Sequence, residues 1–234
     1  TVVRLDYLFE GARAIPPEIS SWDVSRVESM EGIFAYTGAQ VPPGDPMHLL
    51  TVDGTGKAVR PVSGGVVPDI TGWRPSRVTN MSKAFLWANF DQPIGSWTTG
   101  SVENMNEMFR GSSFNQPIGG WNTARVTDMG NLFTETTRFN QPIGNWRTGN
   151  VFSMVGMFDF NPVFNQDITG WDVSNLDRAQ FMFRSALSFN QDIGRTWRPV
   201  KLQRMSTMFQ NTPALETDLS AWRPAPTTSS HLVA

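Results

Sequence analysis

The sequence predicts an α/β repeat solenoid of about eight coils, in which short parallel strands alternate with short helical turns. Three observations predict it: tryptophans at a nearly fixed interval, phenylalanines locked to the same frame, and apolar residues three and four apart after each tryptophan. Tryptophan falls at 22, 73, 97, 121, 146, 171, 197 and 222, with gaps of 51, 24, 24, 25, 25, 26 and 25. Only Trp87 lies off that register. Phe34, Phe85, Phe109, Phe133, Phe158, Phe183 and Phe209 each follow a register tryptophan by 12 positions. Phe90, Phe114, Phe139 and Phe164 precede one by seven, and Ile19, Ile70, Ile94, Ile118, Ile143, Ile168 and Leu219 precede one by three.

Within one unit, Ile118-x-x-Trp121-x-Thr123 has the spacing of a leucine-rich repeat's L-x-x-L-x-L. Period-two alternation then points Trp121 and Thr123 inward from a short strand. Val126, Met129, Leu132 and Phe133 follow at helical spacing, which predicts a turn or two of helix after each strand. Ser25-x-x-Glu28 and Ser174-x-x-Asp177 supply capping-type starts. Pro93, Pro117 and Pro142 mark a turn or strand edge, and Pro75, Pro199 and Pro224 mark the strand's end. A coil this small cannot bury its own apolar face, so stacking must share the burial between neighbours.

Residues 1–222 are expected to form this one solenoid, interrupted by a Pro- and Gly-rich insertion at 35–65. Residues 223–234, with Pro224, Pro226 and the run Thr227–Ser230, read as a flexible tail or linker. The sequence opens in mid-repeat at Val2, Leu5, Leu8 and Phe9. That predicts either preceding residues or a covering partner at that end. With 19 basic and 21 acidic residues among 234, no single-sign field invites nucleic acid or an anionic membrane. No cysteine is present, which excludes disulfides and thiolate metal sites, and no apolar run reaches the roughly 20 residues that span a bilayer.

FNQPIGNW (139–146) and FNQDITGWDVSNL (164–176), followed by Met182-Phe183, resemble the repeats of BspA-like leucine-rich-repeat surface proteins. Such repeats are abundant in mycoplasma surface lipoproteins and present in protists and algae. The resemblance covers residues 1–222 apart from the insertion. It implies an LRR-like solenoid, a cell-surface or extracellular setting, and adhesion or protein interaction. It carries no catalytic residues with it.

Residues that recur in every unit are expected to be structural. The register tryptophans form a core ladder rather than a sugar-stacking platform, and the methionine columns fill the core. Asn115/Gln116, Asn140/Gln141, Asn165/Gln166 and Asn190/Gln191 bond backbone at each turn, with glycan reading as the alternative. Variety falls one residue after each tryptophan, at Asp23, Arg74, Thr98, Asn122, Arg147, Asp172, Arg198 and Arg223. On a concave strand face these would contact a partner, and Arg147, Arg198 and Arg223 would favour an acidic one. A solvated face is the competing reading. The insertion, with His48 and Leu49, is a second candidate contact.

Two histidines and no cysteine exclude most triads and transition-metal sites, and no phosphate-cradling loop appears. The expectation is a non-enzymatic module without cofactor or metal that binds proteins. A glycan-binding surface module is the alternative, as is a structural subunit of a large intracellular or organellar assembly. Nucleic-acid binding and direct membrane insertion are not expected.

Overall fold

The computed structural model describes residues 3–38, 51–52, 58–59 and 65–222. Regular secondary structure among them is sparse. There is a five-residue 3-10 turn at Pro17–Ser21, a four-residue helix α1 at Ile193–Thr196, and one antiparallel pair, β1 (Thr51–Val52) with β2 (Ala58–Val59). The alternating strands and helices of an α/β solenoid are absent, which overturns the expected fold class.

Each coil is instead built from overlapping turns, and its hydrogen bonds show why no helix forms. In segment 129–136 every second N–H leaves the segment. Met129, Asn131, Phe133 and Glu135 donate to the carbonyls of Ser153, Val155, Met157 and Asp159 at 2.7–3.0 Å. The N–H groups between them close turns three residues back: Leu132 to Met129, Thr134 to Asn131 and Thr136 to Phe133, all at 3.3 Å. None is left for the four-back bonds of a helix. Two left-handed residues per coil, here Asn131 (φ 53°) and Glu135 (φ 60°), also break helical geometry. The apolar spacing misled because successive turns, like a helix, bring every third or fourth residue to one side.

The expected strand fails for a related reason. Trp121 N–H closes a turn on the Ile118 carbonyl, and Val126 N–H closes one on Thr123. Ser25 and Ser174 cap no helix; their N–H groups bond Asp23 and Asp172 in Asx turns. One parallel bridge per coil links Arg4, Ser29, Asn80, Asn104, Asp128, Ser153, Arg178 and Arg204 in turn, so eight coils stack among the described residues.

Like residues lie over one another in the stack. Phe34 through Phe209 form a column with ring centroids 5.5–5.9 Å apart. Phe90, Phe114, Phe139, Phe164 and Phe189 form a second at 6.0–6.3 Å. Within a coil the two rings approach to 3.7–4.0 Å. Such pairs add about 0.5–1.5 kcal/mol each beyond the area they bury.

The tryptophans make a third column, and each fastens its coil to the preceding one. Trp97, Trp121, Trp146, Trp171 and Trp197 donate Nε1–H to the carbonyls of Ile70, Ile94, Ile118, Ile143 and Ile168 at 3.1–3.2 Å. All five are buried, as are the ten methionines of the repeat frame, so neither set forms a binding surface. Trp22 in the first complete unit is the exception at 37% exposure. The amide columns are structural as well. Asn115, Asn140 and Asn165 each accept the N–H of the equivalent asparagine one coil on and the amide of its neighbouring glutamine.

The expected insertion boundaries shift. Ala35, Tyr36 and Thr37 are buried members of the second coil, and Asn89 N–H bonds the Thr37 carbonyl. Gly38 and Gly65 lie so close that a Cβ on Gly38 would overlap the Gly65 carbonyl. Gly38 and Gly65 therefore meet at one point of the stack, and the phenylalanine column runs past it from Phe34 to Phe85.

Candidate functional site

The side chains one residue after each tryptophan do reach solvent: Asp23, Arg74, Thr98, Asn122, Arg147, Asp172 and Arg198 are all exposed. They occupy turns rather than a strand face, and most serve their own backbone. Asp23, Asn122 and Asp172 each accept the N–H two residues on. Arg74 and Arg198 donate to the carbonyls of Trp73 and Trp197 at 2.8 Å. Among the described residues Thr98 and Arg147 make no side-chain bond, and Arg147 edges a shallow depression of about 520 Å³ with Gly149, Gly170 and Asp172. Arg147 and Arg198 both stand exposed at this position, and Arg198 also bonds the carbonyl of its own turn. Arg223, His48 and Leu49 lie outside the described residues.

The Asx-turn carboxylates set an acid limit on the fold. Hydroxyl and N–H donors from Ser25, Thr71, Thr169 and Ser174 hold Asp23, Asp69, Asp167 and Asp172 below the ordinary carboxylate range, and N–H then hydroxyl from Ser220 do so for Asp218. A depressed folded-state value means stabilisation fully present above the unfolded value, about 3.9, and lost as pH falls through the folded one. Asp159 acts in the opposite sense, because burial pushes its carboxyl up. Burial pushes Glu10 up as well, while at Asp6 burial is outweighed by the donors Ser29, Arg4 and Glu31, which hold the carboxyl down. With six depressed carboxylates against two raised ones, the melting temperature is expected to fall as pH drops from 5 to 3 in thermal scans (about a two-unit interval spanning the carboxylate range). A flat profile would contradict the assignment.

Sequence reasoning passed over a second surface, the face made by the turn ladder. Fourteen residues after each tryptophan stands a left-handed residue: Tyr36, Trp87, Gly111, Glu135, Phe160, Ser185 and Asn211. Each of these from Trp87 to Ser185 donates its N–H to the next coil, so the column is straight and regularly spaced. Glycine and asparagine suit this backbone, whereas bulky side chains there cost about 1–2 kcal/mol. Trp87, the tryptophan outside the register, sits here with its indole over Gly111, where a Cβ would overlap the ring.

This column lines a groove of about 790 Å³, together with Pro162 and Leu187 from the adjoining loops. Phe160 (48% exposed) and Leu187 (44%) present apolar surface to it. Glu135 is the one charged side chain among the lining residues.

Behind the groove lies an ionic cluster. Arg184 clamps the buried Asp159 carboxylate at 2.5 and 2.8 Å and stacks over Phe160 and Phe181, with its guanidinium carbon 4.9 and 4.6 Å from their centroids. Arg110 meets Glu107 at 3.2 Å and Glu135 at 3.5 Å. Three carboxylates against two guanidiniums leave this cluster one negative charge in excess.

Among the described residues no group of histidine and carboxylate side chains could hold a metal ion, and no helix is long and apolar enough to cross a membrane. No curated protein matches the chain, nor does any solved structure. A family model does match, over residues 1–40, 58–161 and 141–231. Its unmatched gap falls within the excursion between Gly38 and Gly65. The chain therefore belongs to the repeat family described as "Mycoplasma protein of unknown function, DUF285".

Proposed function

We propose that this chain is a non-enzymatic interaction module that binds a protein partner through the groove on its turn face. The observation that carries this reading is the pair Phe160 and Leu187, large apolar side chains left exposed side by side along one groove, Phe160 being more exposed than Tyr7, Trp22 or Phe152. Apolar anchors of this kind supply most of the binding energy at protein interfaces. Phe160 adds support, since it holds a left-handed backbone conformation while 48% of it stays exposed, unlike the buried Tyr36 and Trp87 of the same column.

The BspA-like resemblance belongs to the same reading and implies a cell-surface role in adhesion. The glycan alternative loses its basis in a row of exposed tryptophans. Phe160 replaces that row poorly, because Arg184 covers one face of its ring. Panning a random-peptide phage library tests the proposal. Binders are expected to be enriched on the natural protein and lost on a Phe160→Ser/Leu187→Ser variant that melts at an unchanged temperature. Equal enrichment on both proteins would refute it.

A further inference from the structure

The ladder that joins the coils ends in two unlike edges. The first coil donates N–H groups from Leu5, Tyr7, Phe9 and Gly11 to the second, but its carbonyls at Arg4, Asp6, Leu8 and Glu10 accept nothing among the described residues. The last coil accepts at Arg204, Ser206, Met208 and Gln210, but its N–H groups at Met205, Thr207, Phe209 and Asn211 donate to nothing among them. Inside the stack these same repeat positions bond each other from coil to coil. One end therefore offers a row of acceptors and the other a row of donors at matching spacing, a template for pairing with another chain.

The side chains carry the same complementarity. Leu8 (50% exposed) and Trp22 (37%) line a depression of about 420 Å³ at the first end. The Trp22 indole N–H has no acceptor among the described residues, whereas Trp73 and Trp222 donate to Ile19 and Ile193, each one coil back. The carbonyl that would serve Trp22 in register is that of Leu219. It takes only the Trp222 N–H, where Ile118 takes both the Trp121 N–H and the Trp146 indole. One unit is also divided between the ends. Val2, Leu5, Leu8 and Phe9 are its apolar second half, and Leu215, Leu219 and Trp222 its first. The positions that follow Trp222 in register, Thr227, Ser230, Val233 and Ala234, do not repeat the pattern of Val126, Met129, Leu132 and Phe133. Met205, Met208 and Phe209 are buried in the single chain, but their present cover leaves the ladder N–H groups unpaired.

We propose that copies of this chain stack end to end, the first coil of one seated on the last coil of the next. Met205, Thr207, Phe209 and Asn211 then donate to the second copy's carbonyls at Arg4, Asp6, Leu8 and Glu10, and its Trp22 indole donates to Leu219. Leu5, Leu8 and Phe9 replace the cover over Met205, Met208 and Phe209. At the repeat position where Arg184 meets Asp159 one coil away, the joint brings Gln210 to Glu10, so no like charges oppose there. Arg4 falls beside Arg204, as Arg204 already falls beside Arg178. Because the two surfaces differ, each added copy leaves a fresh end, and the assembly grows as an open line. Phe160 and Leu187 take no part in the joint, so this inference stands apart from the interaction reading above.

Sedimentation equilibrium of the full chain tests it. The average mass of the natural chain should rise with concentration past that of a dimer. Leu8→Glu blocks the first end, and Ser206→Asp/Gln210→Glu blocks the last by setting carboxylates against Asp6 and Glu10 of the next copy. All three positions are at least partly exposed, so both variants should keep the natural chain's melting temperature at dilutions where it is monomeric. Each should stay monomeric alone, and an equal mixture should stop at a one-to-one dimer, because one sound end of each kind remains. Gln210→Arg should tighten association about 3-fold by pairing with Glu10, a gain that misfolding cannot produce. A natural chain that stays monomeric at every concentration would overturn the inference. So would blocked variants that still associate alone, which would put the contact on another face. Loss of association in Phe160→Ser/Leu187→Ser would overturn it as well, by assigning the contact to the groove.

Discussion

Phe133→Ala is expected to destabilise the protein by about 3–5 kcal/mol, the range for removing a fully buried phenylalanine. Its ring is completely buried and touches four others: Phe109 at 5.9 Å, Phe158 at 5.8 Å, Phe139 at 3.7 Å and Trp146 at 6.2 Å. Removing it opens a gap in two columns at once. The neighbouring rings are pinned by their own inter-coil bonds, so they cannot collapse into the space. At about 2–4 °C per kcal/mol for a chain of this size, the melting temperature should drop by about 6–20 °C. Because stability is shared between nearest neighbours, the loss should open the middle of the stack first. Hydrogen exchange would show this as faster exchange at 105–160 than near Phe34. A loss below about 1 kcal/mol would mean that the ring does not sit in a packed column.

Arg184→Met should rank next, at about 2–4 kcal/mol at neutral pH, somewhat below a fully buried pair because the arginine is partly exposed. It removes two charge-assisted bonds to Asp159 and leaves that carboxylate, only 8% exposed, without its clamp. Methionine keeps much of the apolar stem but removes the guanidinium from over Phe160 and Phe181, so the loss combines the clamp with that stacking, and only the clamp's share depends on pH. The sign of its pH dependence follows from Asp159, whose carboxyl burial already pushes up. Without Arg184 it rises further, and lowering the pH neutralises it before the Asx-turn aspartates titrate. The deficit relative to the natural protein should therefore shrink as pH falls from 7 toward 5. Adding Asp159→Asn should recover part of it at pH 7. A pH-independent deficit would show that the clamp's charge contributes little.

Much of this molecule was legible in the sequence, and the boundary of legibility has a physical cause. Trp121, Phe133 and Ile118 declare their burial because each coil repeats the same packing problem and solves it with the same residue. The amide pairs such as Asn140/Gln141 are equally readable as inter-coil fasteners. The local backbone was not readable from apolar spacing, because Val126, Met129, Leu132 and Phe133 satisfy both a helix and a chain of turns. The signal that separates the two was present at two repeat positions, 10 and 14 after the tryptophan. Gly32, Asn131 and Gly156 occupy one, and Gly111 and Asn211 the other. Glycine and asparagine recurring four residues apart mark left-handed backbone that a helix would not tolerate.

The same column hid the candidate site. Trp87, Glu135 and Phe160 look like scatter when only invariance is scored, and Trp87 looks like a register error. Placed at one backbone position with Gly111 and Asn211, they are departures from what the turn prefers. By contrast, the residues after each tryptophan varied for a modest reason. Asp23, Asn122 and Asp172 close Asx turns, so part of their variety reflects alternative ways of finishing the same turn.

The ladder itself is the claim on which the groove and its chemistry depend, and through-hydrogen-bond scalar couplings in deuterated protein test it most directly. The amides of Asn131, Phe133 and Glu135 should couple to the carbonyl carbons of Val155, Met157 and Asp159, one coil away. Coupling of those amides to Thr127, Met129 and Asn131, four residues back, would restore the helix and contradict the account.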